Sequence, residues 1–253
     1  MSKAGVTLKG VTLDYPTSPP LRALEDVTLE IPAGRFVSLI GPSGCGKSTL
    51  LRLVAGVLEP TAGSISVNGA TPTEAQGLHQ FGFVFQDPVL LPWRDVRGNV
   101  ELLLEITGCE REERHARARQ LLELVGLSDF EHLRPSQLSG GMRQRAAIAR
   151  ALALDPPILL MDEPFSAVDE FQRETLNTEL LRIWERQQSS VLFVTHNIEE
   201  AIFLSDSIVI MAANPGRIVQ HVEVNLPRPR DPEVRSASEF LALRRFLREV
   251  LVR

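Results

Sequence analysis

Nine residues, Gly41-Pro42-Ser43-Gly44-Cys45-Gly46-Lys47-Ser48-Thr49, separate two apolar segments of different period. Before them, Arg35-Phe36-Val37-Ser38-Leu39-Ile40 reads as a short buried strand. From Lys47 on, the chain to Gly56 carries apolar residues at helical spacing and has a glycine at its end. Strand, glycine-rich turn and helix in that order restrict this part of the chain to an α/β unit. In such a unit the backbone N–H groups of the turn and the positive end of the helix dipole converge on one point. The spacing is G-x-x-x-x-G-K-[ST], the pattern of a phosphate-binding loop. Lys47 is placed to reach the β- and γ-phosphates of a nucleotide, and the Ser48 hydroxyl to ligate Mg²⁺. A ligand-free turn could match the bare pattern, but the flanking strand and helix favour the phosphate.

Other strand ends supply the groups such a site needs. Ile158-Leu159-Leu160-Met161 is an apolar run that stops on Asp162-Glu163-Pro164. Asp162 is placed to hold Mg²⁺ directly or through water, and Glu163 to polarise an attacking water. Phe81-Gly82-Phe83-Val84-Phe85-Gln86 reads as a buried strand ending in an amide. Gln86 offers an acceptor to the metal and a donor to a phosphate oxygen. Val191 to Val194 ends on Thr195-His196, where a histidine can donate to the γ-phosphate. Tyr15, the only tyrosine, closes an early strand segment and could stack on an adenine ring or be an ordinary half-buried strand aromatic.

A second anion-binding helix start lies in Leu138-Ser139-Gly140-Gly141-Met142-Arg143-Gln144-Arg145. Ser139 is a natural N-cap, and Gly140 and Gly141 let another molecule's backbone approach the helix start. Yet the chain has one phosphate loop and no internal repeat.

The remaining pattern is α/β: a mainly parallel sheet, an antiparallel β part near the N-terminus over residues 6–31, and a helical lobe over 87–155 inserted in the core. Gly63 to Gly69 adds a strand closed by Asn-Gly, and Ser207–Met211 with Arg217–Val224 forms a hairpin-like pair. We take residues 1–225 as one nucleotide-binding domain and 226–253 as a C-terminal extension. That extension opens on Pro227-Arg228-Pro229-Arg230 and continues as an amphipathic helix through Phe240, Leu243, Leu247 and Val250. Its seven arginines against four acids give a net +3, which suits a membrane or partner helix, although docking on its own domain is the reading we favour. The whole chain of 253 residues has net charge −5, which argues against a general nucleic-acid-binding surface. No apolar run approaches membrane-spanning length, and Cys45 and Cys109 are too few for a disulfide framework.

Taken together, Tyr15, the loop 41–49, Gln86, the stretch 138–142, Asp162-Glu163, Ser166-Ala167-Val168-Asp169 and His196 resemble, in order, the motif set of the ATP-binding cassette (ABC) transporter ATPases. The resemblance covers nearly the whole chain. It implies that two copies pack head-to-tail, each ATP lying between one copy's loop and the other's Ser139-Gly140-Gly141. It further implies Glu163 as general base, His196 as its helper, and Asp169 as a contact across the interface. Val168 stands where the family usually has leucine, a conservative departure.

A narrower resemblance links Gln86-Asp87-Pro88-Val89-Leu90-Leu91-Pro92-Trp93 and Asn214-Pro215-Gly216-Arg217-Ile218 to the nitrate, sulfonate and taurine importers. It implies a peripheral subunit on the cytoplasmic face of the membrane, with permease subunits made by other chains and a separate solute-binding protein. Leu91, Pro92 and Trp93 would then form a surface groove for a permease helix; the alternative is Trp93 buried in the helical lobe. Two other functions are compatible with a phosphate loop: a soluble cassette ATPase acting on DNA or ribosomes, and a small-molecule kinase. The first generally carries coiled-coil, zinc or second-cassette segments that this sequence lacks, and the second leaves Ser139-Gly140-Gly141 unexplained.

Overall fold

The computed structural model describes residues 4–252. Among the described residues nine strands form two sheets. The smaller is antiparallel, in the order β2 (Leu21–Pro32), β1 (Ala4–Tyr15), β4 (Ala62–Val67). The larger runs β5 (Phe81–Val84), β6 (Ile158–Asp162), β7 (Ser190–Val194), β3 (Phe36–Ile40), β8 (Ser207–Ala212), β9 (Arg217–Glu223). All its pairings are parallel except β8 with β9. The Asn68-Gly69 turn closing β4 has positive φ at both residues, as the dipeptide predicts.

The interior strands β3 and β7 are buried at every position, so their sequences read as apolar runs without a polar face. Alternate side chains nevertheless enter different cores, because successive Cβ atoms point to opposite faces. Phe36, Met161 and Phe193 join a core with Phe165, Trp184 and the helices on one side. Val37, Leu39, Leu160 and Val194 join the core beneath the antiparallel sheet and α1 (Lys47–Val54). At the edge, β9 alternates exposed and partly buried residues, as a strand open on one face does.

Further helices are α2 (Pro72–Gly77), α3 (Val96–Val100), α4 (Leu102–Ile106), α5 (Arg111–Leu124), α6 (Gly140–Ala151), α7 (Glu170–Gln187), α8 (Ile198–Leu204) and α9 (Ser238–Val252). Between β5 and β6 the described chain forms helices and turns and no strand. On α9, Phe240 and Leu247 are fully buried against the larger core. Among the described residues no helix is long and apolar enough to cross a membrane.

Register decides where the site lies. Val84 pairs with Met161, Met161 with Phe193, Leu39 with Val194, and Ile40 with Ile210. The carboxyl ends of β6, β7 and β3 therefore reach one edge together, where the chain also departs from β3 between neighbours on either side. That is the position at which open α/β sheets bind ligands.

Candidate functional site

At that edge the loop Gly41–Thr49 leaves β3 and enters α1. The helix starts on Gly46 (φ 90°), has no side-chain cap and no acidic residue in its first turn. Its first N–H groups are therefore left for a ligand, whereas α3, α6, α7 and α8 are capped by Asp95, Ser139, Asp169 and Asn197. Two glycines are required by geometry. A Cβ on Gly41 would meet the Met211 carbonyl, and one on Gly46 would lie 2.5 Å from Leu24 Cδ2. Lys47 is only 6% exposed. Its Nζ donates to the carbonyls of Gly41 (2.9 Å) and Pro42 (3.1 Å), which folds the loop around its own lysine.

A cavity of about 390 Å³ opens above the loop, lined by Lys47, Ser48 and Thr49 together with Tyr15, Glu163 and Asn214. Tyr15 Oη lies 3.4 Å from Thr49 Oγ1 at its rim. Ser48 Oγ donates to Asp162 Oδ1 at 2.8 Å, joining the loop to the end of β6. Burial pushes the Asp162 carboxyl above the usual carboxylate range, opposed by the Ser48 hydrogen bond, while the neighbouring Glu163 charge pushes the same way as burial. A hydroxyl and a carboxylate oxygen at this separation are hard donors that fit Mg²⁺, a metal usually held by one or two protein oxygens and completed by phosphate and water.

Glu163 sits at φ 43°, a left-handed conformation that the Cβ of any L-residue disfavours, and it lines the cavity just beyond the end of β6. Its amide donates to Val194 O (3.0 Å), and its Oε2 lies 3.0 Å from His196 Nδ1. The ends of β6 and β7 are thus joined through both backbone and side chains.

Other expected residues lie elsewhere. Gln86 falls beyond the end of β5 rather than on it, and the strand alternates partly buried and buried residues instead of being buried throughout. The reason is local: Phe85 turns outward (47% exposed) and stacks on Phe83 at 4.3 Å. Gln86 lines a second cavity of about 620 Å³, with Arg52, Gly140, Arg143 and Asp162. Asp162 thus faces one cavity while Ser48, its hydrogen-bond partner, faces the other. Ser139 caps α6 by accepting from Met142 N (3.2 Å), and Ser139 and Gly141 line a third hollow with Phe171. Asp169 caps α7, accepting from Gln172 N at 3.0 Å. Neither Ser139 nor Asp169 lines the cavity above the loop. Trp93 is 68% exposed.

Sequence reasoning missed Arg22 and Asn214, which line the loop cavity from β2 and from the β8–β9 turn. No local pattern marks Arg22, and the Asn214-Pro215-Gly216 motif carries no sign that it returns to the loop. Gly216 brings the turn there, since a Cβ on it would meet the carbonyl of Cys45.

A glycine loop, its lysine, a Ser–Asp pair and a Glu–His pair at the carboxyl edge of a parallel sheet define a P-loop nucleotide hydrolase of the α/β class. Residues 24–166 match the ABC transporter family model, and the chain belongs to that family. An uncharacterised ABC transporter ATP-binding protein of Methanocaldococcus jannaschii is 46% identical, over 91% of this chain and 85% of its own length. A taurine import ATP-binding protein of Yersinia pseudotuberculosis is 43% identical, over 98% of this chain and all of its own. Among solved structures, a dimeric post-hydrolysis ATP-binding cassette with ADP and phosphate superposes with a TM-score of 0.77 at 35% identity. It covers 88% of this chain and all of that one. The fold is that of the ABC ATPases, and the chain is an ABC-type ATPase.

Proposed function

We propose that this chain is the motor subunit of an ABC importer, acting as a head-to-tail dimer of two copies on the cytoplasmic face of a membrane. The observation that carries the dimer is the separation of two anion-binding helix starts: α1 opens on the loop cavity, and Ser139-Gly140-Gly141 does not line it. A second copy could supply the missing helix start, and the dimeric state of the solved relative supports an assembly of two copies. Residues 1–225 form the nucleotide-binding domain in this reading, with 87–155 inserted and 226–253 appended.

In the closed dimer, Lys47 and the N–H groups of Gly41–Thr49 bind the β- and γ-phosphates of ATP, and Tyr15 packs on the adenine. Ser48, Asp162 and Gln86 would hold Mg²⁺, which when bound neutralises charge developing on the phosphates. Glu163 takes a proton from the attacking water, and His196, hydrogen-bonded to it, orients the water and the γ-phosphate. Asp169 lies at the interface. Leu91, Pro92 and the exposed Trp93 offer apolar surface beside Gln86 for permease subunits, which in turn receive solute from a binding protein. The taurine import relatives point to taurine or a related small sulfonate, nitrate or similar solute as cargo.

Glu163→Gln tests this reading. It keeps the geometry but cannot accept the proton, so phosphate release falls by about 10²–10⁴-fold while ATP still binds. Sedimentation with ATP then shows a stable dimer. A chain that stays monomeric with ATP, or that phosphorylates a metabolite, overturns the assignment. Purified with its membrane partners, the chain should be stimulated by a binding protein loaded with one of these solutes.

A further inference from the structure

Val89 occupies a left-handed conformation (φ 45°) that β-branched residues avoid. Little around it compensates. The residue is 57% exposed, and its amide reaches only Asp87 Oδ1, at 3.4 Å. The segment is held from α6. Arg150 Nη1 donates to Val89 O at 2.9 Å, and Nη2 donates to Pro88 O at 2.8 Å. Burial lowers the Arg150 pKa, and none of the ion pairs among the described residues includes it. Its charge is therefore satisfied by these two carbonyls, which a planar guanidinium can grip as a fork.

The end of α6 that carries Arg150 is also fixed against β5. A Cβ on Gly82 would meet the Ala151 carbonyl, so this last turn cannot shift without moving the strand that leads to Gln86. At its other end, α6 begins at Ser139. The helix has 12 residues and so spans about 18 Å. One rigid rod thus joins the second anion-binding helix start to the backbone just beyond Gln86.

We propose that Arg150 is a positioning residue: it clamps Val89 in the left-handed state and so ties the conformation of residues 86–93 to the position of α6. The clamp itself needs no nucleotide. Its use in signalling from Ser139 to the segment that bears Trp93 rests on the dimer reading above.

The test uses the full chain in four forms: wild type, Arg150→Lys, Val89→Asn and the double variant. Lysine keeps the charge but cannot fork, and asparagine tolerates the left-handed region better than valine. Without nucleotide, Arg150→Lys should raise amide hydrogen exchange over 88–93 by about tenfold, with the middle of α6 unchanged. Its kcat should fall while the KM for ATP stays within about twofold, because the phosphate loop is untouched. Val89→Asn in the double variant should recover most of both losses, which a merely structural arginine would not allow. Unchanged exchange over 88–93, an equal rise throughout α6 and β5, or no recovery by Val89→Asn overturns the clamp. Should Arg150→Lys fail to fold, Val89→Asn alone reads the same strain: a raised urea midpoint supports it, and an unchanged or lowered one overturns it. If exchange behaves as expected but Glu163→Gln with ATP stays monomeric, the clamp stands and the dimer reading falls.

Discussion

Single side chains set the charge balance at the site. Asp162 is pushed toward its neutral form by burial and drawn back by the Ser48 hydroxyl, so a cation arriving at this pair would favour the carboxylate. Asp162→Asn should lower Mg²⁺-dependent hydrolysis by about 10²-fold or more while metal-free ATP binding persists, measured by phosphate release and by equilibrium binding in chelator. Behind His196 lies a second carboxyl, Glu200, 4% exposed and hydrogen-bonded to the Thr195 hydroxyl. Burial raises its pKa above the usual range. A carboxyl that ionises later in the folded state binds more protons there than when unfolded, so its contribution is full below the unfolded pKa and fades as pH rises through the folded one. Glu200→Gln should remove that loss. Relative to wild type, its urea stability should improve from pH 5 to pH 8, with a slope of at most about 1.4 kcal/mol per pH unit. A difference that is flat with pH would show that Glu200 is already ionised in the fold.

Elements explain why two helix starts of similar composition behave differently. The start of α1 rests on Gly46 and keeps its N–H groups open, whereas Ser139 occupies one donor at the start of α6. Gly46→Ala forces a side chain into φ 90° and onto Leu24. We expect a loss of about 1–3 kcal/mol in urea unfolding and loss of ATP binding by calorimetry. Ser139→Ala removes the cap of α6 and should cost about 1 kcal/mol. Each chain should still bind ATP at its own loop, but dimerisation in the Glu163→Gln background should weaken. Nucleotide binding and assembly are thus separable at these two positions.

Across the whole molecule, the segment from Leu226 onward closes an otherwise open helix end. Arg230 is 6% exposed and donates to the carbonyls of Ile202, Phe203 and Ser205, at and just beyond the end of α8, and to Leu226 O. Arg228 bonds Asp206 and Leu204 O and lies 4.3 Å over the Trp184 ring. Burial lowers the Arg230 pKa to about 10, which leaves it charged at neutral pH. Arg230→Ala strips α8 of these donors and should cost about 2–4 kcal/mol in urea unfolding, with ATP affinity unchanged. A shift in affinity instead would mean that the tail reaches the nucleotide site.

What the amino-acid order determined by itself was local: the strand–loop–helix around Lys47, the apolar runs ending on Asp162-Glu163 and Thr195-His196, and the cap at Ser139. Each is written within a few consecutive residues, because short-range periodicity and backbone preference create it. The tertiary structure alone decided which of these ends share an edge, since pairing of β6 with β7 and of β7 with β3 joins residues far apart in the chain. It also put Gln86 in a neighbouring cavity rather than above the loop, brought Arg22 and Asn214 to the loop, and kept Ser139 away from it. These placements depend on the packing of surfaces from distant segments, for which a single residue pattern carries no sign. The loop's identity was therefore legible in the chain, but the company it keeps was settled by the fold.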